Sequence, residues 1–247
     1  MTATADLAGT RPMGHAEWMT AAEEEYARLG ALLAGLAAED WDRPTDCAGW
    51  SVHDVVAHLV GAAESTARVR ELVRQARLGR RALPGAPGVD GMNAVQVRER
   101  RGTPPAALVA DLADAGARGV RARRRLPAPL RAVRLPFGPP LGTRPLGYLM
   151  DRIYTRDAWM HRVDLSRATG RPVALTSGHD GRIVADVVAE WAAAHGRPFA
   201  LTLTGSAGGT WSSSERGEET RLDAVEFCRI LSGRAPGEGL LAHQVPF

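Results

Sequence analysis

The chain has 247 residues, of which 45% are hydrophobic and 24% are charged, an ordinary globular balance for one large domain or two modest ones. The formal net charge is only +3, so a strongly basic surface of the kind that binds nucleic acid is not indicated. Cys47 and Cys228 form no paired pattern, and neither a signal peptide nor an apolar run of about 18 residues occurs, so we expect a cytoplasmic protein with reduced thiols and no membrane segment.

Two helices joined by a turn are predicted near the N-terminus. The first is predicted over Glu17 to Ala38, because leucines recur on one face and acidic residues lie near its start, where the helix dipole favours them. The segment from Trp41 to Trp50 is rich in Pro, Gly and Asp and is predicted to be irregular. Ser51 and Asp54 then form a capping box, which predicts a second helix from Val52 to Arg77.

The middle of the chain alternates between helical patterns and segments rich in glycine or proline. Residues 79–91 contain four glycines and two prolines and predict a mobile loop. A third helix is predicted in two pieces between Asn93 and Arg125, broken near residues 102–105. Residues 127–145 are predicted to be irregular, and their length as a connection indicates a functional loop. A fourth helix is predicted from Leu146 to Thr169, followed by a glycine that ends it.

Beyond residue 172 the pattern changes from helices alone to helices and strands. An amphipathic helix is predicted over Ile183 to Ala194, and alternation of apolar and polar residues predicts a strand over Phe199 to Thr204. A glycine-rich turn leads to a second predicted strand that begins at Thr210. A capping box at Asp223 opens a short helix. The change predicts two domains, 1–172 and 173–247.

The core-facing stripe of the fourth predicted helix contains ionisable side chains. Asp157 and His161 are four residues apart and share a helix face, with Asp164 about one turn further on. A buried carboxylate needs a compensating partner, which a divalent cation supplies. His58 lies at the edge of the apolar face of the second helix and can point across a bundle toward this pair. Two nitrogens and one oxygen suit zinc or a similar ion and leave one coordination position open.

These residues also have ordinary structural interpretations. Taken singly, His58 fits a surface or hydrogen-bonded core histidine, and Asp157 with His161 fits an ion pair on a helix surface. Asp164 is expected to orient a ligand or to hydrogen-bond at the helix end. Cys47 lies in a turn with no apparent base beside it, so a cysteine nucleophile is not favoured. The pattern alone leaves the metal site and the ion pair both open.

Several motifs follow one another along nearly the whole chain. The first two are Pro44-Thr-Asp-Cys-Ala-Gly-Trp-Ser-Val-His-Asp-Val-Val-Ala-His58 and Arg156-Asp-Ala-Trp-Met-His161-Arg-Val-Asp164. The last two are Leu201-Thr-Leu-Thr-Gly-Ser-Ala-Gly-Gly-Thr-Trp211 and Cys228-Arg-Ile-Leu-Ser-Gly-Arg234. Together, and in this order, they resemble the mycothiol-dependent maleylpyruvate isomerase family of the DinB-like superfamily. The resemblance implies a DinB-like four-helix bundle followed by a small α+β domain similar to sterol-carrier proteins.

The resemblance also implies site residues. The family's metal triad is a histidine on the second helix and a Glu-x-x-x-His pair on the fourth, which correspond to His58, Asp157 and His161. Aspartate is one methylene shorter than the family's glutamate, so the fourth helix must approach more closely, a water must intervene, or the metal binds weakly. The family's catalytic arginine near the C-terminus corresponds to Arg234, which without the family fits equally well as a cap on the preceding helix.

The implied function is a metal-dependent thiol transferase or isomerase. Its cofactors would be a divalent metal, expected to be zinc, and mycothiol as the thiol that adds to an electrophilic small molecule. Retention of the sulfur would make the reaction an S-transfer, and its expulsion after bond rotation an isomerisation. The alternative is a relative recruited to a specialised natural-product reaction, or a metal-poor binding or resistance protein. Neither nucleic acid nor membrane is expected as a partner, because the arginines between Arg118 and Arg134 have no interleaved aromatic residues and indicate a solvated face.

Overall fold

The computed structural model describes residues 5–6, 11–139, 141–213 and 217–247. The chain divides into two compact units, one formed by His15–Pro172 and the other by Val173–Phe247 with the segment that precedes His15. In that segment a short strand, β1 (Ala5–Asp6), pairs in parallel with a strand of the second unit. The assignment of separate domains to 1–172 and 173–247 stays a prediction, and β1 groups with the second of them.

The first unit is helical apart from one small hairpin. Its elements are α1 (His15–Ala34), α2 (Val52–Ala67), α3 (Val69–Ala82), α4 (Gly88–Arg100), α5 (Pro105–Arg124), α6 (Ala128–Ala132), β2 (Arg134–Pro136), β3 (Thr143–Pro145), a π-helical turn (Tyr148–Ile153) and α7 (Tyr154–Thr169). The helices α1, α5, α2 and α7 pack against one another in a ring, and α3 and α4 pack on each other beside α2. The expected four-helix bundle is confirmed.

The bundle core is mainly aliphatic and comes largely from the face of α2 that the sequence predicted. It contains Leu29 and Leu33 of α1, Val52, Val55, Val56, Leu59 and Val60 of α2, Leu108 and Leu112 of α5, and Leu165 of α7. The capping box at the start of α2 is present, since the Ser51 hydroxyl accepts from the Asp54 amide and the Asp54 carboxylate accepts from the Ser51 amide. This cap fixes the residue at which α2 begins and therefore which side chains it turns inward.

The predicted single helix from Val52 to Arg77 is wrong. The chain adopts an extended conformation at Arg68, which ends α2 and starts α3. Just before this break, the hydroxyls of Ser65 and Thr66 donate to the carbonyls of Ala62 and Ala63. Such local bonds compete with the backbone ladder of a helix, which explains a break without proline or glycine.

The mobile loop predicted over residues 79–91 is also wrong. The helix α3 continues to Ala82 and α4 begins at Gly88, so most of the segment is helical. Gly79 and Gly91 lie where the two helices touch, and a Cβ on Gly79 would come within 2.6 Å of the Gly91 backbone. These glycines permit close packing, and the sequence pattern does not distinguish that use from a loop. The segment 127–145, predicted to be irregular, forms α6 and the hairpin of β2 and β3.

The second unit is the expected small α+β structure. It contains α8 (Asp180–His195), β4 (Phe199–Thr204), β5 (Gly209–Ser212), β6 (Glu218–Asp223) and α9 (Ala224–Leu231), with the sheet order β1-β5-β4-β6. The strand β6 was missed because its sequence, Glu-Glu-Thr-Arg-Leu-Asp, is charged and it lies at an exposed edge. Among the described residues, no helix is long and apolar enough to cross a membrane.

Candidate metal centre

The helices α2 and α7 bring the three predicted metal ligands together. The Nε2 atom of His58 lies 3.3 Å from one carboxylate oxygen of Asp157, and the Nε2 atom of His161 lies 3.3 Å from the other. One donor atom from each residue lies within 4.8 Å of the other two. Three donors that come from two helices thus converge on one point of the bundle.

These separations fit a small divalent ion. A tetrahedral site with metal–ligand bonds of about 2.1 Å has ligand-to-ligand edges of about 3.4 Å. Each 3.3 Å separation between an imidazole nitrogen and a carboxylate oxygen is close to such an edge, and the two histidines face different oxygens of Asp157. The aspartate lies within reach of both histidines, because α2 and α7 approach closely enough.

Both imidazole rings are oriented through their other nitrogen. The Nδ1 atom of His58 lies 2.8 Å from the Gln96 side-chain oxygen. The Nδ1 atom of His161 lies 2.9 Å from Asp164, whose carboxylate is fully buried. A carboxylate and an amide oxygen only accept hydrogen bonds, so both rings donate from Nδ1 and turn Nε2 toward Asp157. The sequence predicted that Asp164 orients a ligand or forms a hydrogen bond at the helix end, and it contacts the candidate ligand His161; the role of Gln96 was not predicted.

This orientation creates a need for positive charge at the centre. If both Nδ1 atoms hold their hydrogens, the Nε2 atoms of neutral rings present lone pairs to carboxylate oxygens 3.3 Å away. Lone pairs that face each other repel. The arrangement is favourable with a proton on each Nε2 or with one cation bound between the three side chains.

The electrostatics of the three residues follow from the same contacts. Burial raises the pKa of Asp157, but the charges of His161 and His58 and their hydrogen bonds together hold it far below its usual value. Burial lowers the pKa of His161, but the Asp157 charge and the hydrogen bonds with Asp157 and Asp164 raise it well above its usual value. The centre therefore holds an ionised Asp157 carboxylate beside a protonated His161 imidazole, and a metal cation would bind there by replacing protons on the imidazoles.

Residues 22–166, more than half of the chain, match the sequence profile described as the mycothiol maleylpyruvate isomerase N-terminal domain. The matched segment contains His58, Asp157 and His161. The chain belongs to the mycothiol maleylpyruvate isomerase family.

Two solved structures of a mycothiol-dependent maleylpyruvate isomerase have a fold similar to this family member. The two have TM-scores of 0.60 and 0.59, the second being a histidine-to-alanine mutant. Each is 16% identical in sequence to this chain, and the match covers 94% of this chain and 93% of the chain in the solved structure. No curated protein matches the chain. The similarity supports the family's order of a helical bundle followed by an α+β unit.

In this family member, Trp50 covers the two imidazole rings. Its ring centroid lies 5.2 Å from that of His58 and 6.2 Å from that of His161, and it stacks nearly parallel to the latter. The side chains of His58 and His161 are 5% and 6% exposed, whereas that of Asp157 is 23% exposed. The centre is therefore open to solvent mainly on the side of Asp157. No role was predicted for Trp50, although it directly precedes the capping box of α2 in the sequence.

Cys47 lies closer to this centre than the sequence indicated. Its sulfur is 3.4 Å from an Asp164 oxygen and 3.8 Å from the Nδ1 atom of His161. With His161 and Asp164 it forms a second group of donor atoms within 4.8 Å of one another. Since Nδ1 of His161 already faces Asp164, it is not positioned to take a proton from the thiol, as a nucleophile's base must. The thiol instead donates a second hydrogen bond to Asp164.

The predicted Arg234 belongs to the other compact unit. It follows α9, and its backbone amide donates to the Arg229 carbonyl at 2.9 Å, just after Gly233 with a φ of 79°. Together with Pro236 and Leu241 it lines a pocket of about 350 Å³. The structure thus brings the three predicted metal ligands together and places Arg234 at a helix end, beside a pocket of its own unit.

Proposed function

We propose that this chain is a metal-dependent enzyme that adds a low-molecular-weight thiol, mycothiol, to an electrophilic small molecule, as an isomerase or S-transferase. Family membership supports the reaction class. The single observation that supports the metal is the orientation of two imidazoles, each donating from Nδ1 and each presenting Nε2 to the same carboxylate. The ligands are His58, Asp157 and His161.

The donor set fits zinc. Two imidazole nitrogens and one carboxylate oxygen are a common catalytic zinc set, and three protein ligands leave a position open for a substrate. When bound, such an ion lowers the pKa of a coordinated thiol so that thiolate forms near neutral pH. Asp157 neutralises part of the added charge, and Asp164 and Gln96 hold the two imidazoles in place.

The remaining residues bind and shield the reactants. Trp50 and the apolar face of α2 exclude water from the histidine side of the centre, so the thiol and its partner meet on the side of Asp157. The thiolate sulfur adds to one carbon of an electrophilic double bond, whose π electrons move onto the conjugated group. The adduct either takes up a proton and keeps the sulfur, or rotates about the resulting single bond and expels thiolate as the double bond forms again. Arg234 offers the two-point fork that a substrate carboxylate matches, and we propose that it binds this group.

The experiment that tests this proposal combines metal analysis with turnover. Purified protein is expected to contain about one equivalent of zinc, and removing it with a chelator should abolish mycothiol-dependent turnover until zinc is restored. His58→Ala should lower both zinc content and kcat/KM by at least about 100-fold, as loss of a ligand does. His53→Ala is the matched control, because His53 lies on the same helix and bonds instead to the Thr103 carbonyl.

A different result would favour the alternative function. Protein without stoichiometric metal, together with His58→Ala that retains thiol-dependent turnover, would contradict the metal-dependent mechanism. The three residues would then have a structural role only, through the contacts of both histidines with Asp157. In that case a metal-poor binding or resistance protein, tested by binding of the electrophile without turnover, becomes the better description.

A further inference from the structure

A continuous line of buried amide side chains leads away from the candidate metal centre. The Gln96 oxygen accepts from Nδ1 of His58 at 2.8 Å, and the Gln96 nitrogen donates to the Gln75 oxygen at 2.8 Å. The Gln75 nitrogen donates to the Gly61 carbonyl at 3.0 Å and to a Glu71 oxygen at 2.9 Å. Gln75 is fully buried and Gln96 nearly so. Three hydrogen bonds thus join His58 to the Glu71 carboxylate in the first turn of α3, and a fourth ties Gln75 to the backbone of α2.

The direction of every hydrogen bond in this line is set at its far end. The Gly61 carbonyl and the Glu71 carboxylate only accept, so the Gln75 group that faces them must be its nitrogen. Gln75 therefore presents its oxygen to Gln96, and Gln96 must donate a hydrogen bond to it from its side-chain nitrogen. Gln96 is left with its oxygen toward His58.

The orientation of Gln96 in turn favours one tautomer of His58. An amide oxygen beside Nδ1 requires a hydrogen on Nδ1. When this ring is neutral, its lone pair is on Nε2 and faces the Asp157 oxygen 3.3 Å away, and a bound cation relieves the repulsion between them. If Gln96 were reversed, its nitrogen would face Nδ1 and favour the tautomer with hydrogen on Nε2, which cannot bind a metal.

The acceptor at the end of the line is kept ionised. Arg74 donates to Glu71 at 2.6 and 2.9 Å and also binds Glu99. The hydrogen bonds from Arg74 outweigh burial and lower the pKa of Glu71, with a further contribution from Gln75. At neutral pH, Glu71 is therefore an acceptor without a hydrogen of its own.

Close helix packing makes the line possible. A Cβ on Gly61 would lie 2.5 Å from Cγ of Gln96, so only glycine lets α4 approach α2 this closely. Gly79 and Gly91 do the same between α3 and α4, where each would otherwise collide with the backbone of the other. Three glycines thus bring together the helices that contain Gln75, Gln96 and His58.

We propose that Gln75, which does not touch the metal ligands, is a positioning residue of the metal centre. Acting through Gln96, it locks His58 with its hydrogen on Nδ1 and its lone pair on Nε2. The inference rests on the proposed function for its consequence, metal binding, but the tautomer itself is a property of the metal-free protein.

The test begins with the tautomer of His58 in metal-free protein. Two-bond ¹H–¹⁵N spectra, recorded at a pH where His58 is neutral, should show hydrogen on Nδ1 in the wild type. Gln75→Met keeps the shape of the side chain but removes both ends of its hydrogen bonding, so a mixture with the Nε2–H tautomer is expected. Zinc affinity, measured by competition with a chelating dye, should fall on the order of 10-fold, as expected for partners of metal ligands.

A second substitution distinguishes positioning from packing. Glutamate at position 96 can only accept when ionised, so it cannot reverse as the amide can. Gln75→Met combined with Gln96→Glu should therefore restore the Nδ1–H tautomer and bring zinc affinity back to near the wild-type value. Gln244→Met, at an exposed glutamine of the second unit, is the control and should change neither quantity.

Each outcome decides the proposal. An Nε2–H tautomer in the wild type overturns it without any variant. Weaker zinc binding in Gln75→Met with an unchanged tautomer, or without rescue by Gln96→Glu, also overturns it, since the residue would then act through packing alone. If the wild type has the Nδ1–H tautomer and Gln75→Met changes it, but the protein binds no zinc, then the positioning role of Gln75 is supported and the proposed function fails. If the wild type binds zinc but the His58 tautomer is the same in Gln75→Met, then the proposed function is supported and the positioning role of Gln75 fails.

Discussion

The two histidines of the candidate metal centre are held in different ways. His161 is oriented by Asp164, three residues later on the same helix, through a contact between an imidazole and a buried carboxylate. His58 is oriented by neutral amides that come from two other helices, α3 and α4. One partner is local and charged, and the other is distant in sequence and uncharged.

The two histidines illustrate two ways of fixing the orientation of an imidazole ring. A partner at i+3 on the same helix is in place as soon as α7 forms, and its charge strengthens the hydrogen bond. The amide line exists only when α2, α3 and α4 are packed, and each amide can be reversed. The His161 side should therefore depend on one charge, whereas the His58 side should depend on the fit between helices.

The largest effect is expected on the His161 side. Asp164→Ala removes the carboxylate that accepts from Nδ1 of His161 and from the half-buried Cys47 thiol, so zinc affinity should fall by up to about 100-fold. Asp164→Asn keeps a hydrogen-bond acceptor without the charge, so its zinc affinity should fall less than that of Asp164→Ala. The measurement is zinc competition together with kcat/KM, and equal losses in the two variants would show that the charge is unimportant.

A smaller effect is expected when helix packing on the His58 side is disturbed. Gly61→Ala places a methyl group 2.5 Å from Gln96 Cγ and should push Gln96 away from His58. Overpacking of this kind costs about 1–3 kcal/mol of unfolding free energy, and zinc affinity should fall on the order of 10-fold.

The matched control for this substitution is Gly30→Ala. Gly30 lies inside α1 with no atom within 4 Å of an added Cβ, so the change should stabilise the protein by about 0.5–1 kcal/mol and leave zinc binding unchanged. Chemical denaturation and zinc competition measure both effects. Normal zinc affinity in Gly61→Ala would contradict a role for the close approach of α2 and α4.

The smallest effect concerns the outer end of the amide line. The folded pKa values of Glu71 and Glu99 lie below the usual 4.5, chiefly through hydrogen bonds from Arg74. A depressed carboxylate pKa contributes stability that is present above the unfolded value and is lost as pH falls through the folded value. Both carboxylates are partly exposed, so solvent screens the contribution.

Arg74→Met should therefore lower Tm by only about 1–3 °C at pH 7. The difference from the wild type should shrink as pH falls below about 4.5. Thermal unfolding across pH 3 to 7 measures it, with Arg77→Met, an exposed arginine of the same helix, as the control. A difference that does not vary with pH would mean that Arg74 acts by packing alone.

Much of the centre could be predicted from the sequence because its information is local. Asp157, His161 and Asp164 follow helical spacing, and polar residues on an apolar stripe stand out without knowledge of the fold. Ser51 and Asp54 fixed the start of α2 and with it the face that contains His58. The convergence of His58 with the α7 residues needed the bundle, and the family resemblance supplied it.

The glutamines could not be predicted in the same way. Gln75 and Gln96 lie among arginines and valines, where a neutral amide breaks no pattern. Gly79 and Gly91 were interpreted as parts of a loop because a glycine that permits helix contact has the same sequence signal as one in a turn. Cys47 and Trp50 lie in an irregular segment, where spacing does not predict direction.

By itself, the sequence determined the helices of the bundle, the mixed second unit and the identity of three ligand candidates, since short-range periodicity and capping encode them. Only the tertiary structure decided that the aspartate reaches both histidines, that α2 breaks at Arg68, and that two amides fix the His58 tautomer. These features depend on distances between helices, and such distances are set by packing among residues far apart in the chain, to which no local pattern corresponds.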